Sequence, residues 1–317
     1  MNLRLVPHTA GMANAVDPWP EWSKDPFYRF FDYVQSEIQL IELATNGIRM
    51  VVKQARISEA LYGVAEILDQ PKRRAASQLA DALVRAEVAR QEVEADFPLL
   101  HGHSLVGIWG ALEALINDVA VAWLTHRKAL LKTVEFSSVE VPLGDFQNMS
   151  AAERIEYLLD QVPRSPGVGG GFPRFELLMD RVGLGGALDD ELRRTLIEVH
   201  QVRNVYAHRG GIADRKARAA CPWRKDWKLG KPILVDRTGY GRYLDATTSY
   251  AFELIVRSAA QFGVDVHARL ESGRTERWNE SERRKRRAER RRLLAAAKRR
   301  MAAEAKAKEE AKHPSSP

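Results

Sequence analysis

The sequence predicts an all-α fold: a helical bundle with additional N-terminal helices and a basic helical tail. Three observations carry that expectation. Apolar residues recur at spacings of three and four over most of residues 26–270, the period of an amphipathic helix. Strand-like alternation is too sparse to build a sheet-based architecture. A composition of 45% apolar residues and 8% aromatics in 317 residues supplies a core for one large or two ordinary domains.

Residues 1–25 are expected to be a flexible leader, 26–270 the α-helical domain, and 271–317 a basic, solvated helix or partly disordered segment. Within 26–68, Phe30, Tyr33, Val34, Ile38 and Ile41 set a helical period that Gly47 should break. Residues 75–95 are rich in Ala, Glu and Arg, with Leu79, Leu83, Ala86 and Val93 on one face, and predict a surface amphipathic helix. Residues 104–124 are apolar around most of the circumference; Leu105, Trp109, Leu112, Ile116, Val119 and Trp123 share a face, as in a central core helix. A shorter helix is expected over 146–162, followed by a Gly/Pro-rich loop over 165–174. Further helices are predicted from about 188 to 208 and over 243–271, with a loop or minor strand pair between them at 219–240.

The segment 198–211, EVHQVRNVYAHRGG, carries the chemistry. Leu192, Thr195, Leu196, Val199, Val202 and Tyr206 form the apolar stripe of its helix, which Gly210 and Gly211 should stop. Arg203 projects inside that stripe, toward one side. A guanidinium against an apolar face costs several kcal/mol unless paired, so an anion is expected opposite it, and Glu113 on the 104–124 helix is the candidate. His200, Asn204 and His208 follow at i, i+4 and i+8 along the flank beside Arg203, where the Asn204 amide is expected to orient the His208 ring. Such a set is suited to RNA cleavage without metal. An imidazole moves a proton of the 2′-hydroxyl or of the leaving group, and Arg203 steadies charge on the phosphoryl oxygens. Acid and base roles call for two imidazoles, supplied by His200 or by a symmetric dimer. The bland reading is a helix C-terminus whose Arg and His simply complement the dipole.

RNVYAHRGG, preceded by its amphipathic helix and by the GALEALIND helix, resembles the HEPN superfamily of α-helical domains, whose hallmark is an Arg, usually followed by a polar residue, and a His after four to six intervening residues. Arg203, Asn204 and His208 match with four intervening residues. The resemblance implies a HEPN-like bundle that dimerises with its motif helices facing and cleaves RNA, often as a toxin or antiphage-defence effector. There Arg203 and His208 would be catalytic and Asn204 supportive; His200 has no counterpart in that motif, and it and Glu113 are given supporting places from their positions on the helix faces alone. Other members of that superfamily are non-catalytic modules that bind protein or nucleic acid. An antitoxin or other partner protein is a further expectation.

Composition narrows the rest. Cys221 is the only cysteine, which excludes an intrachain disulfide and a four-thiolate zinc site and suits a reducing, cytoplasmic setting. No export-type h-region opens the sequence, and no apolar run approaches the roughly 20 residues that span a bilayer. His101 and His103 form an H-x-H pair with no third ligand at a telling spacing, so neither a metal nor a cofactor is expected. Gly169, Gly170 and Gly171 lack the lysine of a phosphate loop. Residues 271–317 hold 16 of the 49 Lys and Arg and 8 of the 42 Asp and Glu, which leaves residues 1–270 near neutral. The basic excess is therefore a property of the tail, suited to salt-sensitive, non-specific contact with RNA phosphates.

Overall fold

A computed structural model of the chain describes residues 18–67, 72–137, 139–161 and 171–270. Ten α-helices run through these residues: α1 (Asp25–Ile67), α2 (Lys72–Glu94), α3 (Pro98–His126), α4 (Val134–Ser137), α5 (Leu143–Asn148), α6 (Ala151–Gln161), α7 (Phe172–Arg181), α8 (Asp190–Arg209), α9 (Arg215–Ala220) and α10 (Arg237–Ala260). Among the described residues there is no strand, only one antiparallel bridge between Ile212 and Pro232. The chain divides into two compact units, Met1–Gly263 and Val264–Pro317. In the second, residues 264–270 are described, and Asp265 opens a helical turn by accepting the Ala268 N–H at 3.0 Å. Residues 1–17, Gly169 and Gly170, and the 271–317 tail lie outside the described residues, while the end of the expected flexible leader is packed: Glu21–Ser23 form a 3-10 turn, Ser23 is buried and the Trp22 ring lies against Trp123 and His126.

The core is organised around α3. It is apolar around most of its circumference, with a strip through Leu99, His103, Ala114 and Asn117 left exposed, and α1, α8 and α10 pack around the rest, with α6 and α7 alongside. Leu105, Ile108, Trp109, Leu112, Ile116 and Trp123 are all buried there; each such side chain contributes about 1.5–3 kcal/mol of burial. The helix is longer than its apolar run because Pro98 starts it at a position where no N–H is needed. On length and composition α3, over its most apolar 18-residue window, does meet the requirement of a membrane-spanning helix, although no apolar run signalled it. Nearly half of that window (44%) is buried inside the protein, and the core helix of a bundle satisfies the same criterion.

The turn into α3 is strained and held on three sides. Asp96 and Phe97 both take left-handed conformations, with φ of 60° and 59°, which costs non-glycine residues about 1–3 kcal/mol each. In return Phe97 is buried, the Arg49 guanidinium lies 4.9 Å over its ring, and the Asp96 carboxylate accepts the Arg237 N–H at 2.8 Å. That last bond ties the turn to the start of α10, which Asp236 caps through Gly239.

Several boundaries differ from the sequence expectation. Gly47 does not break the first helix: α1 is continuous over 43 residues, about 64 Å at 1.5 Å per residue. An exposed glycine costs a helix only about 1 kcal/mol, and α2 lies along α1. On α2, Ala86 and Ala89 are buried and Leu79 and Val93 partly so, while Val84 and Val88 face outward. The expected 146–162 helix is two, because Ser150 and Glu153 exchange hydrogen bonds (2.6 and 3.3 Å) and begin α6 afresh. Helix α7 begins at Phe172 within the span expected as loop, and α10 starts at Arg237, earlier than its apolar period suggested.

Candidate functional site

Helix α8 is fixed at both ends. The Asp189 carboxylate accepts the Glu191 and Leu192 N–H groups at 2.8 and 3.0 Å. At the other end Gly210 and Gly211, with φ of 58° and 81°, turn the chain out of the helix. The stripe expected from the wheel is the buried one: Thr195, Leu196, Val199, Val202 and Tyr206 all face the core. The Tyr206 hydroxyl donates to the Ile233 carbonyl at 2.8 Å, with the Pro98 carbonyl at 3.1 Å. Gly102 allows this approach, since a Cβ there would lie 2.0 Å from the Tyr206 ring. Tight packing at that point sets the height of α8 on α3.

Arg203 meets the anion expected for it. Its Nη2 lies 3.5 Å from Glu113 Oε2, and Trp109 one turn earlier on α3 donates its indole N–H to Glu113 Oε1 at 2.9 Å. Arg203 Nη1 donates to Asn204 Oδ1 at 3.1 Å, while its buried Nε has no hydrogen-bond partner among the described residues. The guanidinium remains partly open to solvent, its side chain 26% exposed. It is thus held at one edge and accessible at the other.

Asn204 does not orient His208 as expected. With its oxygen taken by Arg203, its amide nitrogen faces His200 Nε2 at 3.1 Å and donates to it. Nδ1 in turn lies 3.2 Å from the Gln201 side-chain amide. The His200 ring packs on Trp109, centroids 5.1 Å apart, and against Gly171, where a Cβ would meet Nδ1 at 2.3 Å. Burial first, then the Arg203 and Lys216 charges, pull its pKa down to about 4. His200 is therefore neutral near pH 7, which unfits it for the general-acid role considered from the sequence. It serves as an acceptor that fixes Asn204, and through Asn204 the guanidinium.

His208 lies at the C-terminal end of α8, exposed, with no hydrogen bond to the other described residues. Beyond it, Arg209 pairs with Asp214 at 3.8 Å, and Lys216, Arg218, Lys225, Lys228 and Lys231 are exposed on α9 and the loop that follows. The site thus comprises Glu113 and Trp109 from α3 with His200, Arg203, Asn204 and His208 from α8, bordered by a basic segment.

The opposite flank of α8 holds a second charged group that the sequence reading missed. Glu198 is buried at 2% exposure and receives Arg224 Nη1 at 2.6 Å, the Trp223 indole at 2.5 Å, Tyr243 at 3.2 Å, and the Arg242 guanidinium. Burial pushes its pKa up, but hydrogen bonds from Arg242, Trp223 and Arg224 outweigh this and hold it below the usual carboxylate range. Its periodicity was legible in the sequence, since it borders the apolar stripe as Arg203 does; its partners, 26 and 44 residues away, were not. Beside this cluster Cys221 is buried, its thiol pushed up to about 12 by burial and by the Glu198 charge, as befits an inert packed residue.

The H-x-H pair is divided by the helix that carries it. His101 is buried, donates from Nδ1 to the Val235 carbonyl at 3.0 Å and stacks on Tyr240 at 4.8 Å, whereas His103 is exposed. Among the described residues no group of three His, Cys, Asp or Glu is arranged to hold a metal.

Two outcomes follow from these networks. An imidazole whose folded pKa lies below its unfolded value binds its proton late, so His200 should stay neutral from pH 8 down to about 5 and protonate near pH 4, removing stability as the pH falls from about 6.5. Nitrogen chemical shifts of the His200 ring test this, and titration near 6.5 would contradict the buried acceptor. Glu198→Ala removes the anion shared by Arg242 and Arg224, of which Arg224 keeps Asp226 and Arg242 reaches solvent, and should lower unfolding free energy by about 1–3 kcal/mol, measured by chemical denaturation; a change under about 0.5 kcal/mol, as at an ordinary surface site, would refute the buried hub. Compared with protein-family models, curated proteins and solved structures, the chain matches none of them, so the chemistry of the α8 site is argued from its geometry.

Proposed function

We propose that the chain is an endoribonuclease of the HEPN type, acting on RNA as a homodimer without a metal. The observation that carries this reading is the half-open Arg203, oriented by Glu113 and Asn204 and followed five residues later by the exposed His208. His208 takes the proton of an RNA 2′-hydroxyl, whose oxygen attacks the adjacent phosphorus; the P–O5′ bond breaks and the 5′-oxygen leaves with a proton. The products are a 2′,3′-cyclic phosphate and a 5′-hydroxyl. Arg203 counters the charge that gathers on the phosphoryl oxygens. Because His200 is neutral and committed to Asn204, the proton for the leaving oxygen is assigned to His208 of a second copy, brought opposite by pairing of the motif helices. The exposed basic residues of α9 and its following loop offer a path for the phosphate backbone. A cytoplasmic toxin or antiphage-defence effector, restrained by an antitoxin or similar partner, fits this activity.

A specific observation favours a second reading, a non-catalytic helical module that binds protein or nucleic acid: the Glu113 pair and the Asn204 bond already satisfy much of Arg203 as a structural ion. Rates separate the two. Under the first, His208→Ala and Arg203→Ala each lower RNA cleavage at least about 100-fold and relieve growth arrest, with His208→Ala leaving the unfolding midpoint unchanged. Equal cleavage by wild type and His208→Ala assigns the chain to the second.

A further inference from the structure

Helix α1 carries two rows of seven-residue period. One, through Ile41, Ile48, Ala55 and Tyr62, is buried or half-buried along the side where α2 lies. The other runs through Leu40, Leu43, Met50, Ile57, Leu61 and Val64, and each of these side chains is more than half exposed. Gly47 and Gln54, also exposed, complete an unbroken alternation of three- and four-residue steps from 40 to 64. The two rows lie roughly a third of a turn apart on the wheel, so α2 leaves the second one uncovered.

We propose that this row is the seam of a homodimer, in which α1 of one copy pairs with α1 of another as a coiled coil. The spacing is that of the a and d positions, and such a row packs on a copy of itself by knobs into holes under a twofold axis. The flanking positions permit self-association: Gln39, Ala44, Asn46, Val51, Ser58 and Ala60 are uncharged and Lys53 is the sole charge among them, so two copies meet without the repulsion that like-charged borders would impose. The area suffices as well. Together with Ile67, 82% exposed, the row runs along α1 for about 40 Å and presents apolar surface on the order of the 800 Å² per partner of a standard interface. A monomer rarely leaves a patch of that size bare. Gln54, the one polar side chain in the row, sets the register, as a single polar a-position residue does. No residue of the seam belongs to the α8 site, so the inference stands apart from the RNA-cleavage reading.

A short bis-maleimide tests it. Cys221 is buried with its thiol pushed up to about 12, so a cysteine placed on α1 is the reactive one. Gln54→Cys should cross-link into a covalent dimer at micromolar concentration, whereas Arg56→Cys, on another face of the helix, should not. Adding Leu43→Glu and Leu61→Glu to Gln54→Cys should abolish the cross-link with helical circular dichroism unchanged, and light scattering of the wild-type chain should give at least a dimer mass. Cross-linking of Gln54→Cys no greater than that of Arg56→Cys, cross-linking that survives the two glutamates, or a monomeric wild-type mass would each overturn the seam and leave the row to a partner of another kind.

Discussion

A charged group at the border of an apolar helix face must find its counter-charge before the helix can be packed, and α8 carries one such group on each side of its stripe. On one side Arg203 reaches Glu113 of α3; on the other Glu198 receives Arg242 of α10 and Arg224 of the loop after α9. The stripe between them is buried on α3, with Tyr206 seated over Gly102. Burial of a lone charge is costly enough that each pairing selects the rotation of α8 about its own axis. The rest of the unit is consistent with that choice: the left-handed turn before α3 joins α10 through Asp96, and α10 presents Tyr243 and Arg242 to Glu198.

The two flanks are satisfied to different degrees, and the difference is chemical. Glu198 is enclosed, with donors on both oxygens, and has no access to solvent to do anything but hold the fold. Arg203 has one long ion pair, one amide contact, an orphan Nε and an open edge. His200 and Asn204 stand behind it as a neutral relay, with the Trp109 ring and Gly171 fixing the imidazole. A group fixed in direction yet incompletely paired is what recognition of a phosphate oxygen uses.

Much of this was legible in the sequence, for reasons that also mark the limit. The apolar stripe of α8, its Gly-Gly stop and the pairing of Arg203 with Glu113 follow from periodicity and from the cost of an unpaired guanidinium. Periodicity places residues on a face but does not say which neighbour on that face captures an amide, and so Asn204 was expected on His208 and is found on His200 and Arg203. It is equally silent about partners distant in the chain, which hid the Glu198 cluster. Gly47 signalled a break that the length of α1 and its packing on α2 override, and the S-x-x-E signature at Ser150 marked the start of α6 inside what looked like one helix.

The central claim is that the α8 site cuts RNA with the RNA's own 2′-hydroxyl. It is tested most directly by incubating the purified full chain with mixed RNA in EDTA and characterising the new termini. The account predicts cleavage products that end in 2′,3′-cyclic phosphates and begin with 5′-hydroxyls. Intact RNA, or 5′-phosphate termini that need an external water as nucleophile, would contradict it.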